Sequence, residues 1–213
     1  MKKKFDLKLI FGYNKLQEFM DKPVGGETNH LYEEDYTMDK KIIEQKANTV
    51  LKTVGYNGGE LDVIAVAKAL GFIVGISALP DWDDGFILVD KVTEHIKKLI
   101  GFLTDKAIGV NADRDLPTKR FIIAHEIGHY MLHYNENDGI LYARREGIKG
   151  KPAEENDADY FAACLLMPQK YFKKRYDELK GKGLLDDDIF TLLQKDFNTP
   201  YESVKRRLKE IEQ

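Results

Sequence analysis

Arg120-Phe121-Ile122-Ile123-Ala124-His125-Glu126-Ile127-Gly128-His129 places the pattern His-Glu-x-x-His inside an apolar run. Residues 118–134 around it read as one long helix, with Pro117 and Thr118 as its start. On a helix, positions four apart share a face and are separated by about 6 Å of axial rise. Two imidazoles at that spacing can converge on one tetrahedral metal, at about 2.0–2.1 Å each. His125 and His129 are therefore candidate metal ligands. Glu126 directly follows the first of them, where a carboxylate can take a proton from a metal-activated water. Phe121, Ile122, Ile123 and Ile127 supply the apolar flanks expected of a helix lining a buried cleft.

A catalytic zinc needs a third protein ligand and one open position. His133 is the nearest histidine, but it lies about 12 Å along the axis from His125. It is too far to share the ion, so a supporting or structural role is expected. The better source is Pro152-Ala153-Glu154-Glu155-Asn156-Asp157-Ala158-Asp159-Tyr160-Phe161-Ala162-Ala163. Glu155 and Asp159 stand at i and i+4 there. One can bind metal while the other hydrogen-bonds a ligand histidine and fixes its orientation. Glu154 and Asp157 compete as ligands. Ala158, Phe161, Ala162 and Leu165 form an apolar face suited to packing on the first helix. Cys164 in this Ala-rich stretch reads as a small core residue.

Outward from these two helices, the chain divides in three. Residues 1–38 read as an arm or extension, with Pro23-Val24-Gly25-Gly26 and the acidic Glu33, Glu34 and Asp35. Residues 39–54, N-capped by Asp39, and 60–70, ended by Gly71, read as helices. Short β-branched runs at 72–76, 85–89, 98–103 and 107–110 read as strands, with Thr104-Asp105-Lys106 as a tight connection. Strands in sequence followed by helices point to an α+β domain over 39–170 with a small, mostly antiparallel sheet. Residues 171–213 read as a helical tail packed on the core, broken near Gly181-Lys182-Gly183 and Asn198-Thr199-Pro200.

With 213 residues, 43% hydrophobic and 32% charged, the chain has the composition of a folded domain. A formal net charge of -3 argues against a nucleic-acid coat. A single cysteine excludes an internal disulfide, and no apolar run is long enough to cross a membrane, so a cytoplasmic setting is expected. One competing class remains. The tail has a helix-turn-helix rhythm whose second helix carries Lys205, Arg206, Arg207 and Lys209, as in a metal-sensing DNA-binding regulator. In the plainer reading Leu193, Phe197, Val204 and Leu208 bury these helices on the core. A metal-bearing interaction protein without turnover is a third possibility. Tyr130, Tyr134, Tyr142, Arg144 and Arg145 lie near enough in sequence to assist an oxyanion, but as a group read better as packing or surface residues.

The two motif blocks resemble the ImmA/IrrE family of zinc metallo-endopeptidases. The likeness rests on residues 120–129 with His133 following. It rests still more on Glu155-Asn156-Asp157-Ala158-Asp159-Tyr160-Phe161-Ala162-Ala163-Cys164-Leu165-Leu166-Met167-Pro168. The resemblance covers about residues 40–170. It implies a zincin-like α+β core and one catalytic Zn2+ held by His125, His129 and, by position, Glu155, with Asp159 and His133 behind the ligands. It also implies an association with mobile elements and gene regulation, and a protein substrate, with a helix-turn-helix repressor as the candidate.

Overall fold

The computed structural model describes residues 37–79, 81, 83–90, 106–134, 140–144 and 152–212. The extension through residue 36, the run at 98–103 and Arg145 lie outside the described residues. The chain enters through α1 (Lys40–Thr53), whose N-terminus is capped by the Asp39 carboxylate accepting from Lys41 N at 2.8 Å. Asp62 caps α2 (Val63–Ala69) in the same way, accepting from Ala65 N at 2.9 Å. Gly71, at φ +89°, then turns the chain out of α2 and into the sheet.

The described sheet has four strands: β1 (Ile73–Ser77), β2 (Gly85–Asp90), β3 (Lys106–Asn111) and β4 (Ile140–Arg144). Their order is β1-β3-β2-β4. β2 pairs antiparallel with both β3 and β4, whereas β1 pairs parallel with β3. The sheet is thus mostly antiparallel, with one parallel edge that the sequence did not signal. β4 was also absent from the sequence reading. Across the β2–β3 pair, Phe86 faces Gly109, and its ring fills the space a Cβ would take.

α3 (Leu116–His133) carries the His-Glu-x-x-His pattern. It starts two residues before the expected position, because Asp115 accepts from Thr118 N at 2.9 Å and Pro117 fits within the first turn. Every residue from Arg120 to His129 is buried. A helix with no solvated face in this stretch must be covered on all sides. Ile87, Val89, Ile108 and Val110 of the sheet join Ile122, Ile123 and Ile127 of α3 in the main apolar core, together with α1, α2 and α4 (Pro152–Leu166). Arg120 is satisfied inside this packing. It donates to Leu61 O at 2.7 Å and Asn198 O at 3.0 Å, and pairs with Glu60 at 3.0 Å.

Beyond Pro168 come α5 (Gln169–Lys180), α6 (Asp186–Phe197) and α7 (Tyr201–Glu212). Leu193, Phe197, Val204 and Leu208 are buried in a second apolar cluster that also holds Ala163 and Met167 of the α4 end. Arg207, only 1% exposed, ties α7 inward. Its Nε donates to Met167 O at 3.1 Å and its Nη2 to Glu44 Oε1 at 2.9 Å. The guanidinium therefore occupies a carbonyl near the end of α4 and neutralises a carboxylate of α1. Replacing Arg207 with Ala leaves both without a partner and is expected to lower stability by about 3 kcal/mol, read as a lower urea midpoint.

Cys164 is buried in the core, and burial pushes its thiol up to about 12. Its alkylation by iodoacetamide at pH 8 should be more than about a hundredfold slower in the native protein than in urea. Equal rates would place the thiol at the surface.

Candidate metal centre

One face of α3 meets one face of α4, and the contact is made close by glycine. A Cβ on Gly128 would lie 3.1 Å from both Ala158 Cα and Ala158 O, and 3.3 Å from Phe161 Cβ. Gly128 is one of the unspecified positions inside His-Glu-x-x-His, and Ala158 lies between Glu155 and Asp159. Backbone-to-backbone approach at this point sets the two acids against the two imidazoles.

The distances follow from that approach. Nε2 of His125 and Nε2 of His129 are 3.0 Å apart. Glu155 places Oε2 at 3.2 Å from the first and Oε1 at 3.3 Å from the second. A tetrahedral ion with ligands at about 2.0–2.1 Å needs donor–donor edges of roughly 3.3 Å. These three side chains form the only such group among the described residues, with both histidines buried and the carboxylate partly exposed. Two nitrogen donors, one carboxylate and a solvent-facing side match the donor set of an open first-row metal site.

The remaining ring nitrogens are also held. With Nε2 directed at the ion position, each Nδ1 carries the proton. His125 Nδ1 donates to Asp159 Oδ1 at 2.9 Å, and Asp159 is in turn 3.6 Å from Arg206 Nη1 on α7. His129 Nδ1 faces His133 Nδ1 at 3.2 Å. Burial, and then the neighbouring His129, hold the His133 imidazole down at about 4, so it is neutral and able to accept. In the metal-free chain burial disfavours a charged His125. The hydrogen bonds to Asp159 and Glu155 outweigh it and raise the group to about 9. Glu155 is drawn well below the usual carboxylate range: burial opposes this, but the hydrogen bonds with His125 and His129 prevail.

Glu126 is buried, and its Oε1 lies 3.7 Å from where a Gly85 Cβ would project. The same Cβ would strike Ile122 Cγ2 at 2.5 Å and Gly109 O at 2.8 Å. Gly85 thus lets α3 sit directly on β2 beside the Glu126 carboxylate.

Of the acids left open by the sequence, Glu155 stands at the imidazole pair, while Asp157 turns to Met38 and accepts from its amide at 2.8 Å. Glu154 is not part of the cluster. Tyr130 accepts from Lys106 Nζ at 2.6 Å and stacks on Tyr134, a packing role. The side chains of Tyr142 and Arg144 lie outside the described residues. Gly85 belongs to the segment Gly85-Phe86-Ile87, which resembles the family's approach to its metal helix. One contributor was not found from sequence: Arg206 comes from a helix remote in sequence.

The family model described as IrrE N-terminal-like domain (Peptidase_M78) matches residues 87–209. That span includes both motif blocks, 120–129 and 155–168, and most of the helical tail. No curated protein gives a significant sequence match. Among solved structures, a Mycobacterium tuberculosis transcriptional regulator superimposes with a TM-score of 0.51 at 18% identity. The alignment covers 82% of this chain and 47% of that one, so this chain spans less than half of that protein's length. At this identity the likeness shows a shared fold.

Removing one member of the site separates ligands from supports. Glu155→Gln should abolish tight binding of a divalent ion, whereas Asp159→Asn should weaken it about 10–100-fold. Gly128→Val, which forces α3 and α4 apart, should also lose the ion. Competition with a chromophoric chelator measures all three.

Proposed function

The chain belongs to the family of IrrE N-terminal-like peptidase domains, and from that membership we propose that it is a zinc-dependent endopeptidase acting on a protein substrate. The observation that carries this reading is the convergence of His125, His129 and Glu155 on one point beside the buried Glu126. In this reading residues 39–170 form the catalytic unit, 171–213 a tail packed on it, and 1–38 an extension.

His125, His129 and Glu155 would hold a zinc ion, which would supply Lewis acidity to activate water and polarise a peptide carbonyl. The protein's own groups do the rest. Glu126 accepts a proton from the attacking water and returns it to the departing amine. Asp159 holds His125 in the tautomer that presents Nε2, and His133 does the same for His129. Arg206 holds Asp159 from behind.

The substrate proposed is a helix-turn-helix repressor, cleaved in the cytoplasm in the setting of gene regulation or mobile elements. This follows from the family resemblance. No helix among the described residues is long and apolar enough to cross a membrane. Glu126→Gln should retain the metal while hydrolysis falls by at least about 10²–10⁴-fold. The assay is mass spectrometry of fragments from casein and from a purified helix-turn-helix repressor. Undiminished cleavage by the variant would falsify the general-base role, and loss of zinc alone without loss of cleavage would remove the metal from the mechanism.

The solved neighbour's description as a transcriptional regulator favours a second reading, DNA binding through α6 and α7. The helix surface argues against it. Arg207 is buried, Arg206 is engaged by Asp159 and Glu210, and Lys205 lies 3.5 Å from Glu202. A gel shift at 50 mM salt tests it: retarded duplex DNA would restore the regulator reading.

A further inference from the structure

A cavity of about 760 Å³ lies apart from the metal-ligand cluster. It is a groove between α1 and α5, within the size range of ligand pockets, roughly 300–1,000 Å³. One wall is a single face of α1, presenting Lys41, Gln45, Asn48 and Lys52 at helical spacing. The other is a face of α5, presenting Lys170, Lys173 and Lys174. All five lysines are exposed. The carboxylates in the walls are already engaged: Glu44 by Arg207 at 2.9 Å, and Asp177 by Lys173 at 3.6 Å. Among the described residues no ion pair holds Lys41, Lys52 or Lys174. The groove is therefore cationic within a chain whose net charge is -3.

The base of the groove is apolar and aromatic, from Leu51, Tyr56 and Tyr171. The two tyrosine rings meet edge to face, with centroids 5.3 Å apart and planes at 83°. Ring carbons of Tyr171 also lie 3.1 Å from where a Gly58 Cβ would stand, which closes that side of the ring to a ligand. Such a base accepts apolar side chains but is a poor platform for successive nucleobases, which need open ring faces. The amides of Gln45, Asn48 and Gln169 supply donors and acceptors of the kind a peptide backbone uses. Two cationic walls, an apolar base and amide side chains together suit an extended segment of alternating acidic and apolar residues.

We propose that the α1–α5 groove is a docking site for an acidic, partly apolar peptide segment of a partner protein. The proposal concerns binding alone and does not depend on peptide hydrolysis at the metal centre. Long-range attraction from the lysine walls raises the encounter rate, and the apolar base retains the segment. Docking here is salt-sensitive, because the charges are exposed.

The test is fluorescence anisotropy with the full chain at 50 mM and 200 mM salt. The probes are a labelled decapeptide alternating Glu and Leu, its Gln and Leu counterpart, and a single-stranded oligonucleotide of ten bases. The acidic peptide should bind at least about tenfold more tightly than the Gln peptide, and more weakly at the higher salt. Lys41→Glu/Lys52→Glu and Lys170→Glu/Lys174→Glu should each weaken it about tenfold. Lys68→Glu/Lys209→Glu makes the same change in net charge away from the groove and should leave binding within about twofold. Circular dichroism checks that each variant is folded. Equal binding of the two peptides, or equal losses in all three variants, would overturn the site. Tighter binding of the oligonucleotide than of the acidic peptide would overturn the assignment of the partner.

Discussion

The close contact between Gly128 of α3 and Ala158 of α4 governs the rest of the structure. Each helix carries part of a group that could hold a metal ion, two imidazoles on α3 and a carboxylate on α4. His125 and His129 are set by the helical repeat, but the third donor must arrive from a separate element. It arrives because the missing side chain at 128 lets backbone approach backbone near van der Waals distance. The resulting separations, 3.0 to 3.3 Å between donor atoms, are those of a small ion's coordination polyhedron. A larger residue at either position would shift the whole α4 register, and with it Glu155 and Asp159 together.

A second layer of interactions fixes the first. Asp159 and His133 hold the outer nitrogens of the two imidazoles, so the inner nitrogens face one another. Arg206 then holds Asp159, which links the metal centre to α7. Its neighbour Arg207 reaches the other way, to Met167 O and Glu44. Successive arginines thus join the tail both to the site and to the main core. Of the basic residues of α7 read from sequence as a possible DNA surface, Arg207 is buried and Arg206 pairs with Asp159 and Glu210. A further cationic surface lies on the facing sides of α1 and α5.

The helices were legible in the sequence because their signals are local. Asp39 caps α1, Gly71 and Pro168 mark ends, and the apolar spacing of Ile43, Ala47, Val50 and Leu51 fixes a buried face; the second helix was read from residue 60, whereas Asp62 caps it and it begins at Val63. The strands were less so. β4 was not read as a strand, and the parallel pairing of β1 with β3 depends on which edges meet after collapse. The start of α3 was misplaced by two residues, since both Asp115 and Thr118 are plausible caps and only the hydrogen bond from Thr118 N distinguishes them.

The sequence by itself determined that two histidines four apart would share a helical face with a glutamate beside them, because the period of the α-helix requires it. It also narrowed the third donor to a short acidic helix. Only the tertiary structure decided that Glu155 stands at the imidazoles while Asp157 turns to Met38, and that Arg206 supports Asp159 across a long sequence separation. Those choices depend on the distance and rotation between packed helices, set by the volumes of Gly128, Ala158 and Phe161 in contact, and no local sequence rule encodes them.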